Sequence, residues 1–328
     1  MPHGLTRSLI TPQVLIPSLS RATGCLIYAK CEHLNPCGSS KDRVAKNILL
    51  QALASGQLRP GQTVVEGTSG STGISLARFC GALGLRCLVV MPDDQAEEKR
   101  QLLRMFGATV ELVRPASIVN PRHYVNVARA RAKELGGFFV DQFENALNDQ
   151  AHFAGTAREI WRDLDGHLDA FVCSAGTGGL VSGVGRFVKQ QQQQRGGVHN
   201  GGVRVVLADP TGSSLMHAVN DGVCFAPEQR ERLARRHRVD SLVEGVGCDR
   251  VTANFARALP CIDQAVKVED ARVVKMARHL VREGFFVGSS SALNCVAAFD
   301  VAKALGPGHT IVTVFCSGGE RESSKLYR

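Results

Sequence analysis

The sequence predicts an α/β fold, with a mainly parallel sheet flanked by helices. Apolar strand-like runs alternate with helix-period segments along most of the 328 residues, which is βα repetition and so a parallel sheet covered on both faces. Two of these runs end in glycine-rich loops that open helices. Low aromatic content (5%) with 34 glycines suits an α/β enzyme better than a β-sandwich. The length accommodates one large two-lobed domain or two ordinary ones.

In chain order, "LIPSLSRATGCLIYAK" carries a strand pattern near its end. A turn, "NPCGSSKDR", then opens a helix whose Ala45, Ile48, Leu49 and Ala52 share one face. "TVVEG" is a strand, and a helix follows Thr72. "LRCLVVMP" precedes a helix with Ala96, Leu102, Leu103 and Phe106 on one side. "TVELV" leads to "HYVNVARARAKELGG", and "FFVDQF" leads to "AHFAGTAREIWRDL". "LDAFVCSAGTGG" opens another helix. Lys189–Gly202, with its glutamine run, reads as a low-complexity surface insertion. "GVRVVLADP" and "HTIVTVFCSGG" supply later strands, and no internal repeat is visible.

Net charge is +9, from 39 Lys and Arg against 30 Asp and Glu. The basic residues are scattered; the densest knot, Arg230–Arg238, reads as a solvated helix face, so no nucleic-acid partner is expected. The eleven cysteines form no CxxC pair, and Cys25, Cys31 and Cys37 lack a histidine at ligand distance, so no metal site is expected. Several others sit in apolar runs and read as small buried hydrophobes in a reducing compartment. No apolar run is long enough for a membrane span. The first acid is Glu32, after Arg7, Arg21 and several Ser and Thr, a faint transit-peptide pattern that leaves cytoplasm and mitochondrion both open.

Gly67 to Gly73 are all Gly, Ser or Thr and lead into a helix; Gly176-Thr177-Gly178-Gly179 repeats the arrangement. Free N–H groups at a helix start hold anions. Neither loop is a Walker A motif, and Val181 stands where a dinucleotide fingerprint needs its third glycine. Each alone is as readily a plain βα turn; together, after strands, they suit a ligand with two separated anionic groups. Lys41 stands in the first turn of its helix, where the dipole disfavours a cation.

"NPCGSSKDR" resembles the NPxGSxKDR motif of the cysteine synthase and cystathionine β-synthase family, fold type II enzymes of pyridoxal phosphate. "EGTSGSTGIS" is similar to that family's TSGNTG loop, "SAGTGG" to its phosphate loop, and "VGSSSALN" to its serine segment near the C-terminus. "DQFEN" and "HFAGTAREIW" match the stretch between, and the similarity runs from Thr11 to Lys325. The resemblance implies pyridoxal 5'-phosphate in a Schiff base on Lys41, with its phosphate on Gly176, Thr177, Gly178 and Gly179. It puts Ser290 at the ring nitrogen. Thr68, Ser69, Gly70, Thr72 and Gln142 fall where the family holds the substrate carboxylate, and Ser71 at the cofactor's phenolic oxygen. It implies residues 1–150 as an N-terminal lobe with a smaller mobile part, the first ~35 residues packing on the other lobe, and 151–328 as a larger phosphate-binding lobe. A homodimer is implied as well.

The implied reaction is β-replacement on an activated serine with sulfide or a thiol, giving cysteine. β-Elimination, as in a cysteine desulfhydrase or serine dehydratase, is the alternative. A weak pyridoxal-phosphate-binding protein is a third reading, motivated by Ser71 in place of the family's asparagine. Read without the family, Ser69, Ser71, Thr72, Ser290 and Ser291 are helix caps and Gln142 a strand-end polar residue.

Overall fold

Residues 9–194, 202–226 and 241–328 are described in a computed structural model of the chain. The basic stretch Arg230–Arg238 and residues 195–201 of the glutamine-rich insertion lie outside the described residues. Strands β1 (Gln13–Leu15), β2 (Leu26–Lys30), β3 (Thr63–Gly67), β4 (Arg86–Pro92) and β5 (Thr109–Val113) come first. They are followed by β6 (Phe138–Phe139), β7 (Ala170–Ser174), β8 (Arg204–Pro210), β9 (Gln264–Val268) and β10 (Thr310–Val314). These strands form two sheets, one in the order β1-β2-β10-β7-β8-β9 and the other β5-β4-β3-β6.

Every pairing is parallel except that of β1 with β2. The central strands show why. β7 is buried at all five positions, and β8 and β10 at all but their first, as continuous apolar runs are when helices cover both faces. The Ser289–Leu305 helix packs on β7 and β10 and is buried along most of its length, which its small-residue, apolar sequence permits. β2 pairs with β10 over residues 26–30 and 310–314, so the chain's first strands belong to the same sheet as its last.

The Lys41–Ala54 helix buries Ala45, Ile48, Leu49 and Ala52 against the Ser71–Ala82 helix. On the Glu97–Met105 helix, Leu103 is fully buried and Leu102 partly so; Ala96 is its N-cap and the partly buried Phe106 its C-cap, so neither is a member of it. Cys173 and Cys87 are buried, as their apolar runs suggest, but Cys316 is half-buried and Cys224 exposed.

One ion cluster pins the Lys41 helix. Arg43 grips Glu32 (Nε–Oε2 2.8 Å, Nη2–Oε1 2.8 Å) and Glu159 (Nη1–Oε1 2.6 Å, Nη2–Oε2 2.9 Å). Lys30 adds Glu159 at 2.9 Å and the Thr11 carbonyl at 2.6 Å. Burial opposes the Arg43 charge, but the two carboxylates outweigh it and raise its pKa. Removing one partner of such a cluster leaves buried charge without compensation. Arg43→Met is therefore expected to lower stability by about 3–5 kcal/mol, read as a fall in the urea midpoint; an unchanged midpoint would show the cluster to be dispensable.

Candidate active site

A cavity of 340 Å³ lies where the two glycine-rich loops approach each other. Its lining includes Lys41, Thr68, Ser69, Ser71, Thr72, Gln142, Gly176, Thr177, Gly178 and Ser290. Gly70 and Gly179 stand in the same loops but do not line the cavity. So all but two of the residues singled out in the sequence border one space, of the size small-molecule sites have, ~300–1,000 Å³.

Lys41 is the first residue of its helix, with Ser40 as N-cap and no side-chain cap bond. Its Nζ donates to Ser40 Oγ at 3.4 Å. Burial pushes the Lys41 pKa down, because the charged form loses water; nearby Arg321 pushes it the same way. The amine is thereby biased toward its nucleophilic, neutral form.

The first loop leaves β3 and opens the Ser71–Ala82 helix. Gly70 is the N-cap at φ 139°, a conformation that favours glycine, and no side chain caps the helix. A Cβ on Gly70 would lie 2.6 Å from Lys99 Cδ. Ser69, Ser71 and Thr72 are thus not spent on capping. Thr72 Oγ1 donates to Gln142 Oε1 at 2.5 Å, and Gln142 Nε2 donates to the Gly67 carbonyl at 2.9 Å. Gln142 is more than a strand-end polar residue: it ties the loop to the end of β6. The residue before it, Asp141, has φ 54°, an uncommon conformation for a non-glycine residue.

The second loop leaves β7 and opens the Gly179–Gln194 helix. Added Cβ atoms would lie 2.1 Å from the Gly245 carbonyl oxygen at Gly176, 2.6 Å from Phe255 Cα at Gly178 and 2.0 Å from Asn148 Oδ1 at Gly179. Gly178 also has φ 86°. The backbone is pressed against its surroundings where side chains would stand. The amides of Gly176, Thr177 and Gly178 have no protein acceptor among the described residues, and the Ser174 hydroxyl beside them is buried without a partner. Unpaired donors at a helix mouth fit a phosphate. Ser290 and Ser291 do not cap the Ser289–Leu305 helix either; Gly288 is its N-cap, and Ser291 Oγ donates to the Ser317 carbonyl at 3.2 Å.

Residues 7–317 match the pyridoxal-phosphate dependent enzyme family. The chain belongs to that family. It is 50% identical to a Schizosaccharomyces pombe "Cysteine synthase 2" over 97% of this chain and 81% of that protein. Identity to a "Putative mitochondrial cysteine synthase" of Saccharomyces cerevisiae is 46%, covering 97% of this chain and 82% of the other. The crystal structure of O-ureido-L-serine synthase superimposes with a TM-score of 0.82 at 30% identity, over 98% of this chain and 93% of that one. The fold is that of fold type II pyridoxal-phosphate enzymes, and the chain is a pyridoxal-phosphate-dependent enzyme. Among the described residues no helix is long and apolar enough to cross a membrane.

Several residues of this pyridoxal-phosphate enzyme's site carry no sequence signal. Asn148 Nδ2 donates to the Gln142 carbonyl at 2.8 Å and to Thr177 Oγ1 at 3.0 Å, joining the two loops. Asn254 Nδ2 donates to the same Gln142 carbonyl at 2.9 Å. Asn294 Oδ1 accepts from the Ser174 amide at 2.7 Å while its Nδ2 donates to Val314 O at 2.8 Å. Asparagines of this kind follow no period, though "SALN" near the C-terminus places Asn294 four residues after Ser290.

Beneath the first loop, Glu66 Oε2 accepts from the Gln142 amide at 3.3 Å. Burial pushes its pKa from 4.5 to about 8, so the fold holds the neutral acid. The raised folded pKa means its contribution to stability is whole below pH 4.5 and is lost as pH rises through about 8. Melting temperature is expected to fall across that window and to fall less in Glu66→Gln. Parallel pH profiles for the two proteins would show that Glu66 titrates normally.

Proposed function

We propose that this enzyme carries out β-replacement on an activated serine, placing sulfide or a small thiol on Cβ to give cysteine or a close analogue. The observation that carries the reading is Lys41, whose amine burial biases toward the neutral form, in a cavity shared with a helix mouth whose backbone donors are unpaired among the described residues. The cysteine synthases at 46–50% identity support the same conclusion.

Pyridoxal phosphate supplies an electrophilic aldehyde and an electron-withdrawing ring. In this reading Lys41 holds the aldehyde carbon. Gly176, Thr177, Gly178 and Gly179 hold the phosphate through backbone N–H groups and the Thr177 hydroxyl, aided by the dipole of the Gly179–Gln194 helix. Thr68, Ser69, Gly70, Thr72 and Gln142 hold the amino acid's carboxylate at the other mouth. With the cofactor and an amino acid bound, Lys41 would be placed as the base for the Cα proton, a role its lowered pKa suits. Ser290 would meet the ring nitrogen with a hydroxyl rather than a carboxylate, which suits loss of the β-substituent. Ser71 would meet the phenolic oxygen. Residues 1–150 would form an N-terminal lobe with a smaller mobile part, its first ~35 residues packing on the other lobe, and 151–328 the larger phosphate-binding lobe. The family resemblance also supports a homodimer; cytoplasm and mitochondrion both suit its free thiols.

Purified protein is expected to absorb in the visible, and borohydride to label Lys41. Lys41→Ala should lose the label and about 10²–10⁴-fold of the rate. Added sulfide should convert an activated serine to cysteine; pyruvate forming at the same rate with and without sulfide would establish elimination instead. For the assembly, sedimentation at micromolar concentration is expected to report twice the 35.2 kDa of one chain, and a single-chain mass would reject the dimer.

A further inference from the structure

We propose that Arg321 is a positioning residue that fixes the Ser71 hydroxyl as a hydrogen-bond donor to an anionic cofactor oxygen beside Lys41. Arg321 is among the largest fully buried side chains, 1% exposed. Its Nη1 donates to Ser71 Oγ at 3.2 Å. A guanidinium can only donate, so Ser71 Oγ is the acceptor and the serine's own proton is committed elsewhere. Ser71 lines the cavity with Lys41; Arg321 does not. Ser75 Oγ, whose proton goes to Asp42 Oδ1 at 2.6 Å, lies 3.2 Å from the Ser71 carbonyl beneath the hydroxyl.

The guanidinium is poorly compensated. Among the described residues its Nε has no hydrogen-bond partner, and the nearest carboxylate oxygen in an ion pair with it is that of exposed Glu320, at 3.8 Å. Asp42, the other acid near it, spends its oxygens on the Ser75 hydroxyl and the Cys37 amide, both at 2.6 Å. The remaining charged or titratable neighbours are Glu322, Cys37 and Lys41. The Asn35–Lys41 turn closes over the guanidinium, since a Cβ on Gly38 would lie 3.2 Å from Arg321 Nη2. A buried cation with so little ion pairing is costly, and here it stands behind a cavity-facing hydroxyl. Pyridoxal phosphate carries its phenolic oxygen next to the aldehyde that meets a lysine amine. A donor backed by positive charge at this position favours the ionised oxygen. The same charge adds to burial in lowering the Lys41 pKa.

The proposal rests on pyridoxal phosphate binding at Lys41, and its test separates the two. Wild-type protein is first saturated with pyridoxal phosphate and trapped with borohydride; absence of a visible band and of label on Lys41 overturns the cofactor reading and this proposal with it. Given the band, the ratio of visible to near-ultraviolet absorbance reports ionised against neutral phenol. Arg321→Gln is expected to lower that ratio about five- to tenfold, the effect of one hydrogen bond of typical net strength. Ser71→Ala should do the same, and the double variant should add nothing further. Ser71→Asn, with its own amide donor, should make the ratio insensitive to Arg321→Gln. A ratio within about twofold of wild type in Arg321→Gln, or additive losses in the double variant, would sink the proposal. Should Arg321→Gln fail to fold, Arg321→Lys and Ser71→Ala decide it: both must lower the ratio, and an unchanged ratio in either rejects the role.

Discussion

The buried pairing of Arg43 with Glu32 and Glu159 is the constraint on which the site depends. Arg43 sits two residues after Lys41 on the same helix. Glu32 follows β2, and Glu159 belongs to the Ala157–Asp163 helix. None of these charges has water to fall back on, so each geometry is dictated by the others. Lys30 and Thr11 extend the cluster into the chain's first strands. The start of the Lys41 helix is thereby fixed against both the six-stranded sheet and the helix that precedes β7.

With the lysine fixed, the two loops have to be placed relative to it and to each other. Asn148 does this with one amide group, bonded to the Gln142 carbonyl and to Thr177 Oγ1. Gln142 in turn holds Thr72 and Gly67. The two loops are therefore coupled through side-chain amides rather than through a shared element. Neutral Glu66 beneath Gln142 fits this arrangement, since an ionised carboxylate there would oppose an anionic ligand at the loop above.

Much of this was legible in the sequence because it is local. The period-2 and period-3.6 patterns reflect which face of each element is buried, and Ala45, Ile48, Leu49 and Ala52 are the buried face expected of the Lys41 helix. The glycines of both loops are required by positive φ or by close backbone approach, and such demands act on single positions that stay visible in a string. Reading the hydroxyl residues as caps does not hold, since Gly70 and Gly288 occupy the N-cap positions without side-chain bonds. A serine at a helix start looks the same whether it caps or faces a ligand; the difference lies in where the backbone turns.

What the sequence by itself determined is the βα order, the lysine-bearing turn and the two loops, because periodicity, turn chemistry and short motifs involve residues a few positions apart. The tertiary structure alone decided which distant groups complete them. Arg321 reaches Ser71 across 250 residues, and Asn148 reaches Thr177 across 29. It also decided that β2 lies beside β10, uniting the two ends of the chain in one sheet. The physical reason is that a hydrogen bond between remote side chains leaves no spacing in the chain. It exists only after packing has brought buried donors and acceptors together and excluded the water that would otherwise satisfy them.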